Sequence, residues 1–243
     1  MIRDGITAEG LETDAFLMIG QSNMSGRGDI GSVPPIENPN CFMLRCGRWQ
    51  IMGEPVNPDR GPAAEFQPGV CLASSFADAY QKRTGRRTGL IPCADGGTTI
   101  AQWEPGGVLF DHAVFQTLLA ARNADIKGIL WHQGESDCKD GKDYVERFSV
   151  MIQEMRRQLG DGNLPVILGE LSGEIPKDKR RGITDEQIEK MNGNFRRIVR
   201  EVPYCALASA EGLTLRQDGI HFDGPSLRTF GLRYFDAYIT HFA

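Results

Sequence analysis

The residues most able to do chemistry stand at opposite ends of the chain. An apolar run, Ala15-Phe16-Leu17-Met18-Ile19, empties into Gly20-Gln21-Ser22-Asn23-Met24-Ser25-Gly26, and some two hundred residues later comes Asp218-Gly219-Ile220-His221. A serine hydroxyl is a weak nucleophile until an imidazole takes its proton and a carboxylate holds that imidazole in the right tautomer. Ser22, His221 and Asp218 supply those three groups. A strand that stops at a glycine and turns sharply presents the next side chains above the sheet edge, where open α/β proteins place ligands. The three-residue spacing of Asp218 and His221 on a tight loop lets the carboxylate hold one ring nitrogen while the other faces Ser22.

The elements that would position these groups are marked by hydrophobic pattern. Strand-length apolar runs recur at 15–19, 88–93, 128–132, 165–171 and 204–208, most of them apolar on successive residues as strands buried on both faces are. Between them lie stripes of helical spacing: Val70, Ala73, Ala77 and Tyr80; Val145, Phe148, Ile152, Met155 and Leu159; Ile188, Met191, Phe195, Ile198 and Val199. Strand alternating with helix predicts a parallel sheet covered on both faces. Thr184 with Gln187 predicts a capping box, Gly160 a helix end, and Gly224-Pro225 the start of a last helix that anchors the His221 loop. Two stretches lack a period. Residues 29–68, rich in Gly and Pro, read as a long irregular insertion that walls one side of a cleft. Residues 172–182, with Lys177-Asp178-Lys179-Arg180-Arg181, read as a solvated loop.

Four blocks come in a consistent order: Gly20-Gln21-Ser22-Asn23-Met24-Ser25-Gly26, Asp95-Gly96-Gly97-Thr98, Trp131-His132-Gln133-Gly134-Glu135-Ser136-Asp137 and Asp218-Gly219-Ile220-His221-Phe222. Together they resemble the SGNH hydrolase superfamily, and within it the branch of carbohydrate esterase family six and sialate O-acetylesterases. The resemblance runs from about Ala15 to the C-terminus. It implies a three-layer α/β/α sandwich on a central five-stranded parallel sheet with flavodoxin-like strand order. It also implies a serine esterase that removes O-acetyl groups from xylan fragments or sialic acids through an acyl-enzyme. The Asp-x-x-His block then supplies acid and base. The oxyanion donors are the N–H groups of Ser22 and Gly97 and the side-chain amide of Gln133, where the wider superfamily uses asparagine.

The neighbouring residues receive lesser roles. Glu135 either supports His221 or holds Gln133, and the sequence does not choose. Asn23 stabilises the nucleophile turn by bonding backbone; a glycan at its Asn-Met-Ser triplet would block the site. Ser25 is either a turn former or a residue that supports the site from behind. Trp103, in a polar, turn-rich segment, and Gln21 are candidates to touch substrate.

Composition sets the bounds. The 243 residues, 40% of them hydrophobic, suffice for one α/β domain burying roughly three-quarters of the unfolded surface, with residues 1–13 as an N-terminal extension. A formal charge of −5 gives no basic footprint for nucleic acid, and no apolar run approaches the ~20 residues of a bilayer span. The expected partner is a small acetylated sugar or oligosaccharide; oligomeric state stays open. The start lacks a secretory signal, so a cytoplasmic location is expected unless a signal has been removed. Six cysteines without a Cys-x-x-Cys pair read as reduced structural thiols, and four histidines without ligand spacing imply no metal; no cofactor is implied. Two other readings compete: a non-catalytic sugar-binding domain of the same fold, and a lipase or thioesterase, against which the Gly-Gln-Ser-Asn form of the first block counts.

Overall fold

The computed structural model describes residues 13–61, 63–172 and 182–243. The N-terminal extension, apart from Thr13, and the charged run 177–181 therefore lie outside the described residues. Seven strands form one sheet: β1 (Thr13–Gly20), β2 (Cys41–Arg45), β3 (Arg48–Ile51), β4 (Arg87–Pro92), β5 (Asp125–His132), β6 (Val166–Gly169) and β7 (Cys205–Ala208). Their order is β3-β2-β4-β1-β5-β6-β7, parallel throughout except for β3, which runs antiparallel to β2. The five runs expected from the sequence are the contiguous block β4-β1-β5-β6-β7, which is the flavodoxin-like order 2-1-3-4-5.

The expected count of five strands is corrected to seven, because the 29–68 stretch is not irregular throughout. Its Cys41-Phe42-Met43-Leu44 run is buried on successive residues, as a strand inside a sheet should be. At Cys46-Gly47 both residues have positive φ (51° and 72°), the backbone a two-residue hairpin with right-handed strand twist requires. The chain thus turns straight back into β3, with Arg45 paired to Arg48. Surrounding Gly and Pro residues mask this hairpin in the sequence pattern.

The helices are α1 (Ser22–Ser25), α2 (Leu72–Thr84), α3 (Val108–Ala120), α4 (Tyr144–Leu159), α5 (Asp185–Glu201) and α6 (Gly224–Phe242). Alternate residues of β1 face opposite cores: Ala15, Leu17 and Ile19 meet α3, α4 and α5, whereas Phe16 and Met18 meet α2 and α6. Phe16 sits edge-on to Phe76 at 4.7 Å and Tyr80 at 4.8 Å, and each such pair contributes ~0.5–1.5 kcal/mol beyond area burial. The three stripes become α2, α4 and α5. Helix α3 leaves no clear stripe because apolar residues stand on its outer face too, with Val108, Phe115 and Leu118 exposed beside Asp111 and His112.

Element ends follow local chemistry. Thr184 Oγ1 accepts from Gln187 N–H while Gln187 Oε1 accepts from Thr184 N–H, closing the capping box of α5. Gly160 ends α4 with φ 77°. Asp223 caps α6 by accepting from Ser226 N–H at 2.8 Å, and Pro225 occupies its first turn. All four sequence blocks consequently emerge from the carboxyl ends of strands: the first after β1, the second after β4, the third from the end of β5, the fourth between β7 and α6. No helix among the described residues is long and apolar enough to cross a membrane.

Candidate active site

Ser22 opens α1 directly beyond β1, and the turn that aims it depends on Gly20. There φ is 125°, and a Cβ would lie 2.1 Å from the carbonyl oxygen of His132, so only glycine lets β1 pass β5 and reverse. Ser22 Oγ lies 3.0 Å from His221 Nε2, and His221 Nδ1 lies 2.9 Å from Asp218 Oδ2. A carboxylate only accepts, so Nδ1 carries the hydrogen and the lone pair of Nε2 faces the Ser22 hydroxyl. The fold thus joins two residues 199 positions apart in the chain. Ser22 is 6% and His221 5% exposed, so the hydroxyl and imidazole meet with little competing water.

Asp218 is built to stay ionised. Burial by itself raises its pKa, but the hydrogen bond from the His221 ring and those from the N–H groups of His221 and Ile220, each 2.9 Å long, outweigh it and hold the carboxyl far below the usual carboxylate range. Asn23 fixes the loop on both sides of His221. Its Nδ2 donates to Ile220 C=O at 3.2 Å and its Oδ1 accepts from Phe222 N–H at 3.1 Å. Asn23 does bond backbone, as expected, but that of the His221 loop in place of its own turn; it is 1% exposed.

Glu135 touches neither His221 nor Gln133 directly and supports the His221 loop at one remove, through Asn23. Its Oε1 accepts from Asn23 Nδ2 at 2.6 Å and lies 3.2 Å from His132 Nε2. Burial raises its pKa, and the His132 imidazole with the hydrogen bonds from His132 and Asn23 reverses the shift to a net lowering. His132 is itself buried and tied through Nδ1 to Tyr234, whose hydroxyl donates to Trp131 C=O at 2.9 Å.

Two further expectations are corrected. Gln133 is fully buried, and its amide nitrogen donates to Thr98 C=O at 2.9 Å and Asp137 Oδ2 at 2.5 Å while its oxygen accepts from Tyr144 at 2.8 Å. Both amide hydrogens are thereby committed to the protein, and Gln133 cannot also serve an oxyanion. Trp103 does not line the cleft. It is 0% exposed, donates to Thr98 Oγ1 at 3.1 Å and packs edge-on to Trp131 at 5.7 Å, because its indole fills the core beneath the second block.

Gly97 stands where the sequence places it, on the rim with φ 80° and no atom within 4 Å of a would-be Cβ. Ser22 is the first residue of its turn, so its N–H has no helical acceptor. The cleft over these groups measures about 550 Å³, and Gln21, Arg60, Phe66, Ser136 and Ile188 are among its lining residues. The 29–68 insertion does form a wall. Phe66 places its ring centroid 5.0 Å from that of His221, and Arg60 pairs with Asp95 at 2.8 Å.

Asp59, also from the insertion, has no local signal in the sequence, yet it joins two sides of the site. Its Oδ1 accepts from Ser25 Oγ at 3.0 Å, and its Oδ2 accepts from Arg27 Nη2 at 2.7 Å and Gly96 N–H at 3.0 Å. Ser25 is thus a supporting residue, as its position implies. No group of three or more His, Cys, Asp or Glu side chains among the described residues is arranged to hold a metal. All six cysteines are free; Cys138 borders the cleft, with its thiol pushed up to about 12 chiefly by burial.

A hydroxyl, an imidazole and a carboxylate in series at the carboxyl edge of a 2-1-3-4-5 parallel sheet define the SGNH type of hydrolase fold. The chain belongs to the family described as carbohydrate esterase, sialic acid-specific acetylesterase, whose model matches residues 12–240. A probable carbohydrate esterase of Arabidopsis thaliana is 30% identical over 248 aligned residues, covering 93% of this chain and 90% of that one. A solved Arabidopsis thaliana structure aligns with a TM-score of 0.81 at 27% identity, over 95% of this chain and 99% of that one. The crystal structure of NanS shares the fold at a TM-score of 0.73 and 15% identity, over 99% and 98% of the two chains.

Proposed function

We propose that this carbohydrate esterase removes O-acetyl groups from a sugar by serine chemistry, with Ser22 as nucleophile, His221 as base and then acid, and Asp218 as the carboxylate that orients it. The observation that carries the reading is the unbroken series Ser22 Oγ, His221 Nε2, His221 Nδ1, Asp218 Oδ2, with links of 3.0 and 2.9 Å.

In the first half-reaction Ser22 Oγ bonds to the acetyl carbon as its proton passes to His221 Nε2, and Asp218 stabilises the imidazolium. The bond to the sugar oxygen then breaks, and that oxygen leaves with the proton from Nε2. In the second half, water attacks the acetyl-serine with His221 again taking the proton, and acetate departs as Ser22 regains its hydrogen. The N–H groups of Ser22 and Gly97 face the negative oxygen that forms twice; loss of one such donor costs ~10²–10³ in rate. Around this centre the polar rim of Arg60 and Ser136 suits sugar hydroxyls, and Phe66 offers an aromatic face.

The test compares acetate release from an aryl acetate by wild type and Ser22→Ala, for which a fall on the order of 10⁶ in kcat is expected. An inactive wild type, or an equally fast variant, defeats the reading. A panel of O-acetylated sialic acids and xylo-oligosaccharides then ranks the sugars by kcat/KM.

A further inference from the structure

With Gln133 committed elsewhere, the oxyanion has two backbone donors and lacks the side-chain amide that the family resemblance assigns. We infer that Gln21, the residue immediately before the nucleophile, supplies that donor through its Nε2. The inference rests on Ser22 as nucleophile and goes beyond it.

The orientation of the Gln21 amide follows from its partners. Oε1 accepts from Gly134 N–H at 3.4 Å and Ser136 N–H at 3.3 Å, and Gln133 Nε2, its two hydrogens already spent, lies 3.2 Å away. Each contact is long, but backbone N–H groups only donate, so the atom facing them must be the oxygen and the amide cannot be flipped. Gln133 Nε2 is fixed in the same way, by the acceptors Thr98 C=O and Asp137 Oδ2.

A planar amide anchored through its oxygen directs its nitrogen away from the anchor. Gln21 lines the cleft together with Ser22, Gly97 and His221. Its Nε2 has no partner among the described residues, and it is not one of the buried side-chain atoms left without a hydrogen bond, so it keeps contact with the open cleft. The residue as a whole is only 3% exposed and its Oε1 is held by two backbone N–H groups, which leaves the side chain little freedom to move. A donor held rigidly before substrate arrives is what stabilises a developing charge, because nothing need reorganise during the reaction. The third block thus acts through Gln21: the backbone of Gly134 and Ser136 holds the oxygen, and the nitrogen is presented beside Ser22.

Gln21→Glu separates this role from a structural one. The carboxylate keeps an acceptor toward the N–H groups of Gly134 and Ser136, so the melting temperature is expected to hold, but both amide hydrogens are gone. Gln21→Met removes them without adding charge. Kinetics on an aryl acetate, with wild type and Ser22→Ala alongside, should show kcat falling ~10²–10³-fold in both Gln21 variants at nearly constant KM. Affinity for an alkylboronic acid, a mimic of the tetrahedral intermediate, should fall in parallel. If the added charge of Gln21→Glu merely altered His221, the acid limb of the pH–rate profile would move and the plateau would recover at higher pH; a lost donor lowers the plateau itself. A Gln21→Glu enzyme with wild-type plateau kcat, or a folded Gln21→Met enzyme binding the boronic acid as wild type does, overturns the inference while Ser22→Ala remains dead. An active Ser22→Ala defeats the nucleophile reading instead, and the inference with it.

Discussion

Removing the Asp59 carboxylate tests whether the 29–68 insertion builds the site or merely decorates it. Arg27 and Asp59 have side chains only 1% and 5% exposed and meet at 2.7 Å. The Arg27 Nε is already without a hydrogen bond. Asp59→Ala therefore strands a buried guanidinium, and breaking such a pair from one side costs about 3–5 kcal/mol. At about 2–4 °C per kcal/mol for a chain of this size, the melting temperature should drop by about 6–20 °C. Activity should fall as well, since Asp59 ties Gly96 N–H and Ser25 Oγ together, and a displacement of about 1 Å near the chemistry can cost ~10² in rate. Thermal melts and aryl acetate kinetics below the transition measure the two effects. Arg27→Met combined with Asp59→Leu should regain much of the stability but not the rate, because the charge is gone while the Gly96 tie stays broken. An Asp59→Ala protein with unchanged melting temperature and kcat refutes the reasoning.

The remaining predictions concern the acid, its titration and the thiols. Asp218→Asn should lower kcat by ~10⁴, and by more than Glu135→Gln, because only Asp218 touches the His221 ring; a larger loss from Glu135→Gln contradicts the assignment. Asp218 has a folded-state pKa below its unfolded one, so its stabilising contribution is complete above the unfolded value near 4 and is lost as pH falls through the folded value. In urea unfolding, wild type should exceed Asp218→Asn in stability at pH 7, and the gap should close in strong acid; a gap that widens with acid is the wrong sign. A disulfide-exchange reagent at pH 8 should titrate the exposed Cys46 quickly and the other five thiols only on unfolding. Burial pushes Cys71 and Cys205 up to about 11 and Cys41 and Cys138 up to about 12, and holds Cys93 higher still; a second fast equivalent in the native protein contradicts this.

What the sequence discloses is whatever neighbouring residues suffice to encode. The strand before Ser22, the Thr184 capping box and the Asp218 to His221 turn each lie within a few residues, so their geometry follows from local chemistry. The β2–β3 hairpin escapes notice because its strands are short and set among Gly and Pro, and α3 because exposed apolar residues such as Val108, Phe115 and Leu118 blur its periodic stripe. Asp59 escapes for a different reason: its partners Ser25, Arg27 and Gly96 lie more than thirty residues away, and no spacing rule joins them. The passing of the inferred oxyanion-donor role from Gln133 to Gln21 marks the sharpest limit. Both glutamines are in the expected blocks, but which amide nitrogen is consumed by the core depends on Thr98, Asp137 and Tyr144 closing around Gln133. Glu135 is similar, since its partner Asn23 comes from a block 112 residues earlier.

The central claim, that Ser22 is the nucleophile activated by His221, is tested most directly by covalent trapping. Wild-type protein treated with an organophosphate ester and digested should carry one phosphoryl adduct per chain on the peptide containing Ser22, with esterase activity lost in step. Ser22→Ala should take up none, and His221→Ala should react far more slowly. An adduct on a different residue, or full activity after stoichiometric modification of Ser22, contradicts the account.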